Sequence, residues 1–215
     1  MNVLIACEES QRVCIEFRKR GFNAFSCDIQ DCSGGYPEWH LKGDALNYLT
    51  YLKWDLVIAH PPCTYLTNTG NRWFNTEKYG EKAEQRFRLR NAAIDFFMDF
   101  VYSPYCERLA IENPIGCMSR YYRKPDQIIH PYMFGDPERK ATCLWLKNLP
   151  PLKSTNIITP NIIRYKNGKG TDSPWHMDTM KLPKDERAKM RSKTFPGIAK
   201  AMAEQWGNYL MEVVR

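Results

Sequence analysis

The residues best placed to do chemistry are Cys63, Glu112 and Asn113. Cys63 closes the run His60-Pro61-Pro62-Cys63, which follows Trp54-Asp55-Leu56-Val57-Ile58-Ala59, a short apolar stretch that reads as a buried strand. Proline fixes φ and donates no backbone N–H, so neither Pro61 nor Pro62 extends a sheet. The chain therefore leaves the strand stiffly and presents Cys63 beyond its carboxyl end, the edge where open α/β sheets bind ligands. Glu112 and Asn113 end a second apolar run, Leu109-Ala110-Ile111, and precede Pro114. Singly, such a cysteine is more often a buried small hydrophobe and such a glutamate a helix cap. If the two strands are neighbours, however, a thiol and a carboxyl group face one pocket. That pair suits attack on a pyrimidine ring. A thiolate adds to carbon-6, a protonated carboxyl hydrogen-bonds ring nitrogen 3, and carbon-5 becomes able to accept a methyl group. Glu112 needs its pKa raised by burial for this task.

A second set of candidates is acidic and sits at other strand ends. The turn Ala6-Cys7-Glu8-Glu9-Ser10 follows the apolar run from Val3. Asp28, twenty residues beyond Glu8 and followed by Ile29, ends the next strand; Asp44-Ala45 follows Gly43. A strand, a turn, a helix and then an acid is a nucleotide-binding layout, with the acid accepting from ribose hydroxyls. There is no G-x-G-x-x-G, and carboxylates at the turn repel a pyrophosphate. They suit a cofactor carrying positive charge, which favours S-adenosyl-L-methionine, with its sulfonium and α-ammonium groups, over NAD or ATP. Asp44 is placed to accept from the adenine amino group. Ala6, Cys7, Glu8, Glu9, Ser10, Asp28, Ile29, Asp44, Ala45 and Pro61 are the expected cofactor-binding residues. No metal is expected: Cys27, Cys32 and His40 are too loosely spaced for a zinc site and lack a second ligand pair.

The elements that must position these groups are those of an α/β domain. Val3–Cys7 and Asn23–Asp28 read as strands joined by a helix with Ser10 as its N-cap, inner residues Val13 and Phe17, and Gly21 past its end. This predicts a parallel pair with a right-handed crossover. A long helix over about Glu81 to Tyr102, with the face Leu89, Ala93, Phe96, Phe97 and Phe100, leads to the strand at Leu109. Thr142–Leu146 is a further strand. The last helix starts at Pro196, with the stripe Ile198, Met202, Trp206 and Leu210. Residues 1–152 are expected to form the catalytic and cofactor-binding core, 153–192 a small polar insertion, and 193–215 a helix packing back on the core.

Composition is that of an ordinary globular domain: 215 residues, 43% hydrophobic and 26% charged. The net charge of +7 is compatible with a polyanionic partner. No apolar run reaches the length of a membrane span, the eight cysteines imply no disulfide framework, and the start lacks a signal-peptide layout. The cytoplasm of a bacterial or phage-infected cell is the expected compartment. Basic and aromatic residues cluster after Cys63, with Thr64, Asn71, Arg72 and Trp73, then Arg86 and Arg90 on one face of the long helix. Arg120 and Arg123 flank Tyr121 and Tyr122, and Arg164, Lys166 and Lys169 lie in the insertion. Cations for phosphates and rings for stacking suit a nucleic acid opened around one base.

These motifs together resemble the DNA cytosine 5-methyltransferase family, most closely its short phage-type members. Pro62-Cys63 matches the motif that supplies the nucleophile. Glu112-Asn113 matches the Glu-Asn-Val motif that supplies the acid, with Pro114 in place of Val. The resemblance implies a Rossmann-like methyltransferase fold, S-adenosyl-L-methionine as cofactor, cytosine-containing DNA as partner, and base flipping. It also implies a cation supporting the base, for which Arg139 and Lys140 remain alternatives. It gives Asn113 the task of ordering the loop that carries Cys63. Phe195-Pro196-Gly197-Ile198-Ala199 is similar to the family's last motif. The family's Phe-Gly-Gly turn is missing at residues 6–10, and about forty residues stand where a large recognition region is usual. Two alternatives therefore stand beside the DNA reading. One is the same chemistry on a free nucleotide, single-stranded DNA or RNA; the other is a catalytically silent nucleic-acid-binding or anti-restriction protein.

Overall fold

Val3, Leu4, Ile5 and Ala6 are wholly shielded from solvent, as an unbroken apolar run requires of a strand covered on both faces. They belong to β1 (Asn2–Ala6) in a computed structural model that describes residues 1–165, 168 and 170–214. Lys166 and Lys169, expected among the basic residues of the insertion, lie outside the described residues. After β1 come α1 (Arg12–Lys19), β2 (Asn23–Asp28), β3 (His40–Lys42) and β4 (Leu56–Ala59). The chain continues through α2 (Thr76–Tyr79), α3 (Glu81–Tyr102), β5 (Leu109–Pro114), α4 (Met118–Tyr121), β6 (Gln127–Ile129) and β7 (Thr142–Lys147). It ends with β8 (Ile163–Arg164), β9 (Thr171–Asp172), α5 (Pro174–Met180), α6 (Lys184–Ser192) and α7 (Pro196–Val213).

Seven strands form one mostly parallel sheet in the order β3-β2-β1-β4-β5-β7-β6. The first five strands are parallel to one another, while β7 runs antiparallel to β5 and β6. The order reverses between β1 and β4, so a crevice opens at their carboxyl ends, the place where doubly wound sheets hold ligands. In register, Ala6 pairs with Ala59 and Ala59 with Ile111. The residues that follow β1 and β4 and the end of β5 therefore share one edge of the sheet.

Alternate residues of β1 face opposite layers. Val3 and Ile5 join Phe17 of α1 and Met202, Trp206 and Leu210 of α7 on one side. Leu4 and Ala6 join Phe97 and Phe100 of α3 on the other. The expected stripe of α7 is buried throughout, whereas Leu89 of α3 is 39% exposed and turns toward the segment after Cys63. The start of α1 differs from expectation. Ser10 does not cap it: Gln11, at φ 57°, occupies that position without a side-chain capping bond. The carboxylate of Glu8 accepts instead from the N–H groups of Val13 (2.7 Å) and Cys14 (3.2 Å). A helix start exposes unpaired donors, and this buried carboxylate satisfies two of them.

Residues 153–192 contain the two-stranded β8–β9 ribbon and helices α5 and α6. Ser173 caps α5 by accepting from the His176 N–H, and Trp175 meets Phe195 edge to face at 5.1 Å. Arg12 donates to the Thr194 carbonyl and Asp136 accepts from the Gly197 N–H, fixing the start of α7 against the core. No described helix is long and apolar enough to cross a membrane.

Candidate active site

The strand β4 ends at Ala59, and the chain then turns through His60, Pro61, Pro62 and Cys63 at the carboxyl edge. Pro61 is buried, whereas Pro62 and Cys63 are exposed. Asn113, buried near the end of β5, donates from Nδ2 to the Pro61 carbonyl oxygen at 2.7 Å. Pro61 and Pro62 have no N–H to donate to a sheet, so this bond to the Pro61 carbonyl fixes the segment that carries Cys63. The loop after β5 closes against the same segment, with the Cys117 N–H donating to the Leu66 carbonyl at 2.8 Å. Gly116 permits that approach: a Cβ there would lie 2.1 Å from the Leu66 oxygen.

His60 was not among the residues singled out from the sequence. Its Nδ1 lies 2.9 Å from Glu112 Oε2, and the two side chains are 7% and 13% exposed. Burial pushes the Glu112 carboxyl up. The His60 hydrogen bond, the Lys140 ammonium and the His60 charge outweigh burial and carry it below the ordinary carboxylate range. The expectation of a Glu112 raised by burial is thus corrected: its partners hold it ionised. The thiol of Cys63 is pushed up from its ordinary value by the protein packed around it and by the Glu112 carboxylate, against the pull of Lys140. The sequence signal for His60 is an imidazole set between a wholly apolar strand and a proline pair; its partner becomes visible only when β4 and β5 lie side by side.

Lys140, rather than Arg139, acts on both Cys63 and Glu112. Lys140 Nζ also donates to the Arg191 carbonyl at the end of α6, while Arg139 donates to Thr171 in β9. The two cations therefore tie the insertion to the core, and the charge of Lys140 is felt at Cys63 and Glu112.

A cavity of about 410 Å³ lies beside Pro62, lined among others by Cys7, Asp28, Ile29, Asp44 and Ala45. Burial, then the charges of Asp28, Cys27 and Asp44, push the Cys7 thiol strongly upward, so the cavity carries a negative field. Of the expected cofactor residues, Ala6, Glu8, Glu9, Ser10 and Pro61 do not line it. Ala6 is wholly buried in β1 and Glu8 is spent on α1. Glu9 is 5% exposed, neither carboxylate oxygen has a hydrogen-bond partner among the described residues, and Lys189 of α6 lies 3.8 Å from Oε2. An acid-walled cavity of this size fits a nucleoside that carries positive charge.

Several of the basic residues expected at a nucleic acid have partners within the chain. Arg90 donates from Nε to the Tyr65 carbonyl (2.8 Å) and from Nη2 to Asn71 Oδ1 (2.7 Å), and stacks 3.5 Å from the Phe74 ring centroid. Arg86 donates to the Thr64 carbonyl and lies over Tyr65 and Phe74. These guanidinium groups brace the loop. Arg123 pairs with Asp126 at 2.7 Å and donates to the Leu146 carbonyl, so it fastens the edge of β7. Thr64, Arg72, Trp73 and Arg120 remain exposed, with Arg72 over the Trp73 ring. Trp73, Tyr65, Tyr79, Lys82 and Arg86 line a second cavity of about 420 Å³ on this side.

No protein-family model matches the chain, and no curated protein matches it. Among solved structures, one similar chain is a candidate DNA modification methyltransferase encoded within a prophage (E. coli). The likeness has a TM-score of 0.44 at 14% identity and covers 68% of this chain. It spans less than half, 46%, of that protein's length. A likeness this distant leaves the chemistry to be read from the residues themselves.

Proposed function

We propose that the chain transfers a methyl group from S-adenosyl-L-methionine to carbon-5 of cytosine in DNA through a covalent Cys63 adduct. The observation that carries this reading is that Cys63 and Glu112 share one sheet edge, beside an acid-walled cavity lined in part by Pro62. Cys63 Sγ forms the bond to ring carbon-6, and Glu112 faces ring nitrogen 3. Asn113 keeps the nucleophile's segment in place through the Pro61 carbonyl, and the Lys140 charge favours the thiolate. Asp28, Asp44, Ile29 and Cys7 are the residues that would hold the cofactor. When bound it supplies an electrophilic methyl on a cationic sulfur, whose charge also favours thiolate at Cys63.

The test is a covalent trap. Carbon-5 of 5-fluorocytosine carries fluorine where the proton would leave, so the adduct persists. The wild-type chain with cofactor is expected to shift to a protein–DNA adduct on a denaturing gel, and Cys63→Ser to give none. Equal adduct in both sinks the covalent mechanism; absence from wild type sinks the reaction. The small insertion, one ribbon and two short helices, favours an unpaired substrate as the second reading. Offering the trap as duplex DNA, single-stranded DNA, RNA and nucleotide decides between them.

A further inference from the structure

We propose that His60 is the proton partner of Glu112: it holds that carboxylate in place and supplies the proton that Glu112 presents to the bound ring. The inference rests on the cytosine reading and adds to it a residue that the covalent scheme does not use. The buried pair is joined by one bond, Nδ1 to Oε2 at 2.9 Å. His60 Nε2 is also buried and has no hydrogen-bond partner among the described residues. A buried polar atom left unpaired is costly, and such atoms concentrate where a group must titrate or receive a ligand.

The surroundings suit an imidazolium. Glu112 of β5 faces it directly; Glu8, on the turn after β1, is a second carboxyl near it, pushed up to about 7 by burial against the pull of His60. Lys140, ahead of β7, opposes it by acting on Glu112, and Cys143 of β7 also feels that carboxylate. Cys63 lies three positions along the same segment.

The need for a donor follows from the state of Glu112. An ionised carboxylate repels the electron pair that collects at ring nitrogen 3 when carbon-6 is attacked. With His60 protonated, the Nδ1–H bond breaks and an O–H bond forms at Oε2, leaving a neutral imidazole and a neutral acid. As Cys63 thiolate adds, the S–C6 bond forms and the C5–C6 π pair shifts toward nitrogen 3, which takes the proton from Glu112. As carbon-5 gains the methyl group, nitrogen 3 returns the proton to Glu112 and the imidazole recovers it. The carbon-5 proton then leaves to water, the S–C6 bond breaks to release the Cys63 thiolate, and the C5–C6 double bond is restored; the proton lent by His60 is returned, and the carbon-5 proton is the one released. His60 acts through Glu112 and is a positioning residue.

Two measurements on the full chain test this. The first is nuclear magnetic resonance of isotope-labelled histidine across pH. His60 is expected to carry its proton on Nδ1, hydrogen-bonded to Glu112, so that the Nδ1 and Hδ1 shifts move in Glu112→Gln. Unchanged shifts overturn the pairing. The second is the pH profile of methylation for wild type and His60→Gln, which keeps a donor but cannot ionise. Wild-type kcat is expected to fall as pH rises and the imidazolium is lost. His60→Gln should lose that limb and about a hundredfold in kcat, with little change in KM. Cofactor binding by calorimetry should stay within about threefold of wild type. An unchanged profile and rate overturn the proposal. A wild-type chain that methylates no cytosine substrate refutes the cytosine reading, and the resonance measurement still decides the His60–Glu112 pairing.

Discussion

A cysteine attacks a ring carbon as its thiolate, and the charges around Cys63 pull its proton in opposite directions. Packing and Glu112 hold the thiol protonated, while Lys140 favours release. Alkylation by iodoacetamide, followed by mass spectrometry of the Cys63 peptide, reads the thiolate directly. Its midpoint against pH is expected above the ordinary thiol value. Glu112→Gln removes an anion and should move it down; Lys140→Met removes a cation and should move it up. Midpoints that shift the other way, or not at all, would place both charges too far from the sulfur to matter. The placing of Cys63, Glu112 and Asn113 at one sheet edge was legible in the sequence because each sits where an apolar run breaks at proline. His60 was not, because its meaning lies in a contact between strands fifty-two residues apart.

The segment after Cys63 is an element built from backbone carbonyls and rings rather than from a regular ladder. The carbonyls of Thr64 and Tyr65, ahead of its 3₁₀ turns over Asn68–Phe74, accept from Arg86 and Arg90 of α3. A guanidinium has a planar fork that meets a carbonyl and an amide at once while lying flat on Phe74; an ammonium cannot do this. Arg90→Ala should therefore destabilise the chain by about 1–3 kcal/mol and speed limited proteolysis between residues 64 and 75. Arg90→Lys should restore little. Cleavage rates that match wild type would mean the loop stands without this clamp. In the sequence these arginines read as phosphate contacts, since charge on a helix face looks alike whether it meets solvent, nucleic acid or a neighbouring loop. The central strands were legible as unbroken apolar runs. The edge strands β3 and β6 were not, being three residues each, with the sequences His-Leu-Lys and Gln-Ile-Ile.

At the scale of the whole molecule, the turn after β1 serves stability as well as the site. Glu8 is buried with its carboxylate on the first turn of α1, and α1 packs in turn against α7. Burial raises the Glu8 carboxyl from 4.5 to about 7, against the pull of His60 and of the Val13 and Cys14 N–H groups. Between those two values the folded chain keeps a proton that the unfolded chain has lost. Raising the pH through this window therefore lowers stability, by on the order of 3 kcal/mol once both forms are ionised. Glu8→Gln removes the titration but keeps an acceptor for one of the two N–H groups. Urea unfolding at intervals from pH 5 to pH 8 should show wild type losing stability relative to the variant as pH rises, with the difference levelling off above about pH 7. Parallel curves would mean that Glu8 stays ionised in the folded chain and that the helix start holds its charge more tightly than burial opposes it.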